Sequence, residues 1–257
     1  MSQIVENIKK NLSKKRNYTI AAVGRVGTGK SYSSLKVAKT LQPSFTINNV
    51  VFDIPTLLEK VHNEEVKAGE VLIFDEAGIS ASNRESYMNK FNKAMSFLMQ
   101  TWRHRQIVLI ITVPDIAFID AGTRKMFDAI MECKEVIKSR RVVRVNWKFL
   151  QSNVQSGKIY FHNPKTTNME TIQVEIGKPN VKLINQYEKK KKEFTTELYK
   201  DLQVTLEEKK EVASKREIRR CPECESMHTR FNTTEQMMNC RQCGHKWVRG
   251  AIQTPSV

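Results

Sequence analysis

Long apolar runs are absent from this sequence of 257 residues. The longest, Ile107–Val113, has the length of a buried strand and is far shorter than the roughly 18 residues of a membrane helix. The first ten residues also lack the apolar core of a secretory signal. We therefore expect a cytoplasmic protein without a membrane span.

Glycine and proline are scarce, with 10 and 7 residues, and 27 Asp and Glu are outnumbered by 43 Lys and Arg. With an apolar content of 40%, this composition excludes collagen, low-complexity polymers and a wholly disordered chain. The net charge of +16 favours a polyanionic partner, nucleic acid first and an anionic membrane second. The alternative is a basic protein that its charge keeps soluble.

Cysteine is almost absent before the C-terminal end, where four of the five cysteines lie and Cys133 is the exception. The four form two C-x₂-C pairs separated by fifteen residues: Cys221, Cys224, Cys240 and Cys243. Four thiolates at this spacing are typical of a tetrahedral Zn²⁺ site in a ribbon too small to build a core without metal. His245 is a surplus candidate ligand, and we expect Cys133 to be a buried apolar residue.

The ribbon also contains basic and aromatic residues that suit nucleic acid, through phosphate contact and stacking on bases. These are Arg230, Arg241, Lys246, Arg249, Phe231 and Trp247. The alternative is a ribbon that is purely structural or docks a protein.

From Tyr18 onwards, short apolar segments alternate with amphipathic ones, which predicts an α/β fold with a mainly parallel sheet. Strands are expected at 18–23, 49–52, 71–74 and 107–113, and helices at 31–41, 55–62, 85–105 and 119–131. Residues 142–150 and 157–161 predict an antiparallel hairpin added to this sheet. One face of the hairpin, with Arg144, Asn146 and Lys148, could follow a phosphate backbone or simply be solvated.

Residues 24–31 fit the phosphate-binding pattern G-x-x-x-x-G-K-[ST] at every fixed position, between an apolar strand and a helix. The glycines let backbone N–H groups point at phosphates, and the helix N-terminus adds anion stabilisation. Lys30, counted as catalytic, would reach the β- and γ-phosphates, and the Ser31 hydroxyl would bind Mg²⁺. The expected nucleotide-binding residues are Gly24, Arg25, Val26, Gly27, Thr28, Gly29, Lys30, Ser31 and Tyr32.

The apolar strand at 71–74 ends in two acids, Asp75 and Glu76. Asp75 would hold Mg²⁺ directly or through water, and Glu76 would polarise the water that attacks the γ-phosphate. The alternative is a strand that exits into an acidic turn. Such a carboxylate pair is typical of P-loop hydrolases with an additional strand, and it separates them from kinases and simple GTPases.

Three further catalytic candidates lie in or near the strand at 107–113. Thr112 could sense the γ-phosphate, or it could cap the turn that follows. Arg103 and Arg105 could stabilise transition-state charge in the site of a neighbouring subunit. Arg124 is a further candidate for this role. Basic residues at a helix C-terminus could instead complement the helix dipole.

The phosphate loop, Asp75-Glu76-Ala77-Gly78, the helix ending in Trp102-Arg103-His104-Arg105 and the strand ending at Thr112 together resemble the zonula-occludens-toxin-like branch of the FtsK/HerA ATPases. The resemblance covers about residues 18–165. It implies an additional-strand P-loop fold and a homo-oligomer, usually a ring, that couples ATP hydrolysis to moving DNA or extruding virions. DNA is thus favoured over RNA, and a virus or a plasmid is a candidate source. One departure is Val113, where members of the branch often have Gln after the strand's Thr.

These observations divide the chain into five segments: a basic N-terminal arm at 1–17, a P-loop ATPase domain at 18–165, a charged, mostly helical, solvent-exposed linker at 166–220, a zinc ribbon at 221–249 and a tail at 250–257. The expected protein is a Mg²⁺-dependent ATP-hydrolysing motor acting on nucleic acid as a homo-oligomer, with ATP, Mg²⁺ and Zn²⁺ as cofactors. One alternative is an ATP-switched nucleic-acid-binding or assembly protein with slow turnover. A small-molecule or RNA kinase is another, and the acid pair together with the lack of a recognisable lid arginine cluster argues against it.

Overall fold

The computed structural model describes residues 2–75, 84–101, 105–166, 169–170, 173–214, 220–233 and 235–248. The chain forms two compact units, one from Met1 to Glu197 and one from Leu198 to Val257. Among the described residues, no helix has the length and apolar character needed to cross a membrane.

The first unit is built on a large mixed sheet. Its strands are β1 (Tyr18–Val23), β2 (Val50–Val51), β3 (Val71–Phe74), β4 (Val108–Val113), β5 (Ala129–Ile137), β6 (Val142–Ser152), β7 (Ile159–His162) and β10 (Val174–Gly177). Between β7 and β10 in the chain, β8 (Lys165–Thr166) and β9 (Met169–Glu170) form a separate two-stranded sheet. The order is β10-β6-β5-β1-β4-β3-β2, and β7 pairs with the far end of β6.

Strand β4 lies between β1 and β3 and is parallel to both, so the strand before the phosphate loop and the strand before Asp75 are not neighbours. Strand β5 is parallel to β1, whereas β6, β7 and β10 add an antiparallel part. This is the P-loop NTPase fold with an additional strand and an antiparallel extension, as the sequence predicted.

Helices cover both faces of this sheet. They are α1 (Ser2–Ser13), α2 (Lys30–Leu41), α3 (Ile54–His62), α4 (Arg84–Thr101), the short α5 (Ala121–Arg124) and α6 (Val181–Ser214), which starts in the first unit and ends in the second. Alternate residues of β1 face the two cores, because Ile20 packs with Ile8 and Leu35 on one side, while Ala21 belongs with Leu57 and Phe91 on the other. In α4, Phe91, Met95 and Leu98 are buried in the second of these cores.

The helix predicted at 119–131 is wrong for most of its length. Only Ala121–Arg124 is α-helical, and β5 begins at Ala129. Ile119, Thr123 and Phe127 are buried at a spacing of four, which imitates a helical face. The residues that follow, Ala129–Ile137, form a strand because they pair with both β1 and β6.

Two segments expected to lie outside the core contribute to it. In the predicted N-terminal arm, α1 buries Ile4 and Ile8, which are 1% and 0% exposed. In the predicted linker, β10 pairs with β6. Leu183 and Tyr187 of α6 are buried in the core that contains Ile20 and Leu35, which we call the main core. The prediction of a solvent-exposed linker is therefore wrong for the first turns of α6.

The second unit contains a three-stranded antiparallel sheet around the cysteines. Its strands are β11 (Thr229–Asn232), β12 (Met237–Cys240) and β13 (Lys246–Val248), in that order. This is the small hairpin architecture expected of a ribbon.

Candidate nucleotide and metal sites

Glycine is required at both ends of the phosphate loop because neighbouring strands approach it closely. A Cβ on Gly24, whose φ is 152°, would lie 2.5 Å from the Cys133 carbonyl oxygen. A Cβ on Gly29, whose φ is 87°, would lie 2.6 Å from Val143 Cγ2. The β5–β6 hairpin therefore lies directly against the loop, and side chains at these glycines would collide with it. Cys133 is 2% exposed, as expected, and burial raises the pKa of its thiol to about 11.

Lys30, the first residue of α2, keeps its ammonium group at the loop. Its Nζ donates to the carbonyl oxygens of Gly24 at 2.7 Å and Arg25 at 2.9 Å. Thr28 closes the same turn, since its hydroxyl donates to the Arg25 carbonyl at 2.8 Å, and Val26 at the tip is exposed. Phosphate oxygens bound in the loop could replace the two carbonyls as partners of the ammonium.

Asp75 is the centre of a polar cluster that joins the two nucleotide motifs. It follows β3, is fully buried, and accepts hydrogen bonds on Oδ1 from Ser31 Oγ and Thr112 Oγ1, both at 2.8 Å. Thr112 reaches Asp75 because β4 lies between the other two strands. The structure thus brings three of the predicted residues together, while a γ-phosphate-sensing role for Thr112 stays a prediction.

This cluster suits Mg²⁺. A carboxylate and a hydroxyl are oxygen ligands of the kind that Mg²⁺ takes, usually together with substrate phosphates and water. A buried carboxylate also gains from a nearby cation, because burial disfavours an uncompensated charge. Ser31 and Asp75 would therefore hold the ion beside phosphates bound in the loop.

Helix α6 supplies two residues to this cluster that the sequence did not predict. Tyr187 donates its hydroxyl to Asp75 Oδ2 at 2.5 Å, and Lys191 Nζ lies 3.6 Å from the same oxygen. The available signal was a weak apolar stripe along this segment, together with the four-residue spacing of Tyr187 and Lys191. The stripe consists of Leu183, Tyr187, Phe194, Leu198 and Leu202. The distance of Tyr187 and Lys191 from Asp75, more than a hundred positions, hid the contact.

Tyr32 also connects the loop to α6. Its hydroxyl donates to Glu188 Oε1 at 2.8 Å, and its ring meets Tyr187 edge to face at 6.2 Å. Burial, helped by the Glu188 carboxylate, raises the pKa of Tyr32 to about 12. Contact of Tyr32 with a nucleotide stays a prediction.

The remaining catalytic candidates are not brought to the loop within the described chain. Glu76 and Arg103 lie outside the described residues. Arg105 precedes β4, which is parallel to β1, so it lies at the sheet edge opposite the loop and forms an ion pair with Glu64 at 2.6 Å. A role for either arginine in a neighbouring subunit's site stays a prediction.

The polar face of β6 is largely engaged with neighbouring side chains. Arg144 pairs with Glu135, Asn146 donates to Glu132 at 3.2 Å, and Lys148 donates to Asn163. Charge on this face is thus partly compensated, which favours the solvated outer surface over a phosphate-tracking one.

The four C-terminal cysteines form the predicted cluster. All four sulfur atoms lie within 4.8 Å of one another, and the pairs Cys221–Cys243 and Cys224–Cys240 are each separated by 3.5 Å. Sulfurs bound at about 2.3 Å around a tetrahedral Zn²⁺ would stand about 3.8 Å apart, close to these distances. The backbone N–H groups of Cys243 and Gln242 lower the pKa of the Cys240 thiol, so this sulfur is the one that the backbone prepares as a thiolate, whereas the pKa values of Cys224 and Cys243 are raised.

His245 does not belong to the sulfur cluster. Its ring stacks on Trp247, with centroids 5.8 Å apart and planes inclined by 19°. Arg230 in β11 and Arg241 in the turn after β12 are exposed. Lys246 forms an ion pair with Glu235 at 2.8 Å, and Arg249 lies beyond the described part of the ribbon.

No protein-family model matches this chain, and no characterised protein matches it in sequence. Among solved structures, it is similar to the N-terminal domain of zonular occludens toxin from Neisseria meningitidis, with 13% identity, a TM-score of 0.34, and coverage of 60% of this chain and 97% of the other. It is also similar to the genome packaging NTPase B204 from Sulfolobus turreted icosahedral virus 2 in complex with ATP-gammaS, with 17% identity, a TM-score of 0.31, and coverage of 58% and 98%. The identities and TM-scores are low, so neither similarity assigns a function to this chain.

Proposed function

We propose that this chain is a Mg²⁺-dependent ATPase motor of the FtsK/HerA type that acts on nucleic acid, DNA before RNA, as a ring-forming homo-oligomer. The observation that carries the proposal is the Ser31–Asp75–Thr112 cluster beside a complete phosphate loop. It joins a phosphate-binding motif to a buried acid across the additional strand. That is the arrangement a hydrolase needs to hold the terminal phosphate and its metal together.

The residues divide the work between binding and activation. Loop N–H groups and the Lys30 ammonium bind and orient the phosphates, while Ser31 and Asp75 hold the cation. Mg²⁺ supplies positive charge against the phosphate oxygens. Glu76, one residue beyond the cluster, orients the water and accepts its proton. An arginine from a neighbouring subunit, Arg103 or Arg105, adds charge stabilisation.

Nucleic acid is proposed as the partner from the charge of +16 and from the stacked His245–Trp247 pair with exposed arginines in the ribbon. The second unit therefore provides a contact to the polymer, and Zn²⁺ bound by the four cysteines maintains its shape. A viral or plasmid source would fit a protein that moves or packages DNA.

The runner-up is an ATP-switched binding or assembly protein with slow turnover. It is favoured by Val113, which replaces the Gln of the resembled branch, and by the engagement of Thr112 with Asp75. In that case ATP would control association, and hydrolysis would serve only to reset the switch.

Turnover and binding separate the two functions. We expect the purified chain to hydrolyse ATP with Mg²⁺, faster with DNA than without, and Glu76→Gln to retain ATP while turnover falls by about 100-fold or more. Lys30→Ala should lose ATP binding. Glu59→Gln on the exposed face of α3 is the matched control and should behave as wild type.

Three results would contradict parts of this proposal. Tight ATP binding by wild type without hydrolysis in the presence of DNA or RNA would favour the switch. Unchanged turnover in Glu76→Gln would show that another group activates the water. Transfer of phosphate to an acceptor other than water would instead indicate a kinase.

A further inference from the structure

The buried face of α6 directs two side chains at the acid that is to hold Mg²⁺. Tyr187 is 2% exposed and donates to Asp75 Oδ2, and Lys191, one helical turn later, lies 3.6 Å from the same atom. Ser31 and Thr112 donate to the other oxygen, Oδ1. Both oxygens of one carboxylate are thus held by different elements.

Helix α6 is fixed against the first unit by contacts that do not involve Asp75. Lys190 donates to the carbonyls of Ile47 at 3.3 Å and Val50 at 2.5 Å. Phe194 stacks on Phe52 with ring centroids 5.2 Å apart. On the other side of Tyr187, Leu183 is buried in the core of the first unit. Because the helix is held before and after Tyr187, the tyrosine hydroxyl has a defined position from which to orient the carboxylate.

Tyr187 and Lys191 act differently on the carboxylate of Asp75. A hydroxyl bonded to Oδ2 fixes the rotation of the carboxylate and leaves Oδ1 directed at Ser31, where the cation would bind. The ammonium of Lys191, whose side chain is 26% exposed, compensates the buried negative charge of Asp75 when no metal ion does so. A Mg²⁺ ion that binds at Asp75 would be repelled by this ammonium group.

We propose, on the basis of the proposed function, that Tyr187 is a positioning residue for the Mg²⁺ site and that Lys191 opposes the ion there. Tyr187 holds Asp75 in the orientation that binds Mg²⁺ together with Ser31. Lys191 takes the place of the ion as the counter-charge of Asp75 in the metal-free protein. The C-terminal helix thereby sets how much Mg²⁺ the nucleotide site requires.

The test measures the binding of a fluorescent ATP analogue to the full-length chain at increasing Mg²⁺ concentration. We expect Tyr187→Phe to raise the half-saturating Mg²⁺ concentration by about 10-fold, the usual effect of removing a partner of a metal-binding carboxylate. Lys191→Met should lower it several-fold. In EDTA, Tyr187→Phe should bind the analogue as wild type does, since its hydroxyl acts through Asp75.

Lys190→Met is the matched control, because it removes one positive charge from the neighbouring position of the same helix, and the ammonium of Lys190 donates to the backbone carbonyls of Ile47 and Val50. It should lower the thermal unfolding temperature and leave the half-saturating Mg²⁺ concentration unchanged. If Lys191→Met does not fold, Lys191→Gln provides the same loss of charge with a polar side chain.

Variants that lose stability but keep the wild-type Mg²⁺ dependence would overturn the inference and leave Tyr187 and Lys191 with a merely structural role. Equal shifts in Lys190→Met and Lys191→Met would also overturn it, because the effect would then be one of general charge. Failure of the wild type to bind the analogue at any Mg²⁺ concentration would instead overturn the proposed function, and this inference with it.

Discussion

At the scale of single residues, burial acts on two carboxylates with different partners. Asp75 receives hydroxyl donors on both oxygens and has an ammonium group nearby. Asp128, between α5 and β5, accepts the Thr19 N–H on Oδ2 at 2.7 Å. Burial raises the pKa of Asp128 to about 6 even though that hydrogen bond and the charge of Arg16 favour the ionised form.

Asp128 should therefore make stability depend on pH in a defined direction. Its native pKa of about 6 lies above the value of about 3.9 expected in the unfolded chain. Between these pH values the native state keeps a proton that the unfolded state has lost, so the free energy of unfolding falls as pH rises. We expect Asp128→Asn to remove this fall and to be more stable than wild type at pH 7 by at most about 3 kcal/mol.

Urea unfolding between pH 4 and pH 7 measures this effect, with Glu59→Gln as an exposed carboxyl control. A parallel pH profile in Asp128→Asn and wild type would contradict the assignment. A lower stability of the variant at every pH would show that the hydrogen bond to Thr19 outweighs the cost of burying the charge.

At the scale of elements, the two terminal helices of the first unit illustrate how charge conceals a core position. Both α1 and α6 have charged sequences, yet α1 buries Ile4 and Ile8 and α6 buries Leu183 and Tyr187. Each helix docks on the sheet through a few apolar residues at helical spacing, with Leu12 of α1 and Phe194 of α6 partly buried beside them, although most of the remaining positions are polar or charged. Tyr18 strengthens the α1 contact, since its hydroxyl donates to Asn7 Oδ1 at 3.0 Å.

We expect Ile8→Ala to lower the free energy of unfolding of the first unit by about 2–4 kcal/mol, because it leaves a cavity in the main core. Lys9→Ala, on the exposed side of the same helix, should change it by less than about 0.5 kcal/mol. Chemical denaturation of both variants tests this. Equally small effects of the two substitutions would contradict a core role for α1 and would support residues 1–17 as a peripheral arm.

At the scale of the whole molecule, the two units depend on different sources of stability. The first has an apolar core on each face of its sheet. The second has three strands of three or four residues around a sulfur cluster, which is too little apolar material to fold without a metal.

We expect one Zn²⁺ per chain and expect a strong chelator to unfold the ribbon while the first unit keeps its cooperative unfolding transition. Cys224→Ser should reduce the zinc content, whereas Cys133→Ser, which changes the buried cysteine beside the loop, should not. Elemental analysis and circular dichroism measure both effects. Full zinc content in Cys224→Ser, or a ribbon that survives chelation, would contradict a structural zinc site.

The sequence by itself determined the features that depend on local spacing. The phosphate loop, the acid after β3, the apolar strands and the paired cysteines are each encoded within a few residues, so pattern alone located them. The sequence pattern gave a wrong prediction for the segment before β5, because three residues spaced by four imitate a helical face. It also gave a wrong prediction for the first turns of α6, where charged residues outnumber the apolar ones.

Only the tertiary structure decided which distant segments meet. The insertion of β4 between β1 and β3 brings Thr112 to Asp75, and the docking of α6 brings Tyr187 and Lys191 to the same carboxylate. The physical reason is that strand pairing and helix docking follow from the burial of whole apolar faces. The polar side chains carried by those faces then meet at places that no local pattern records.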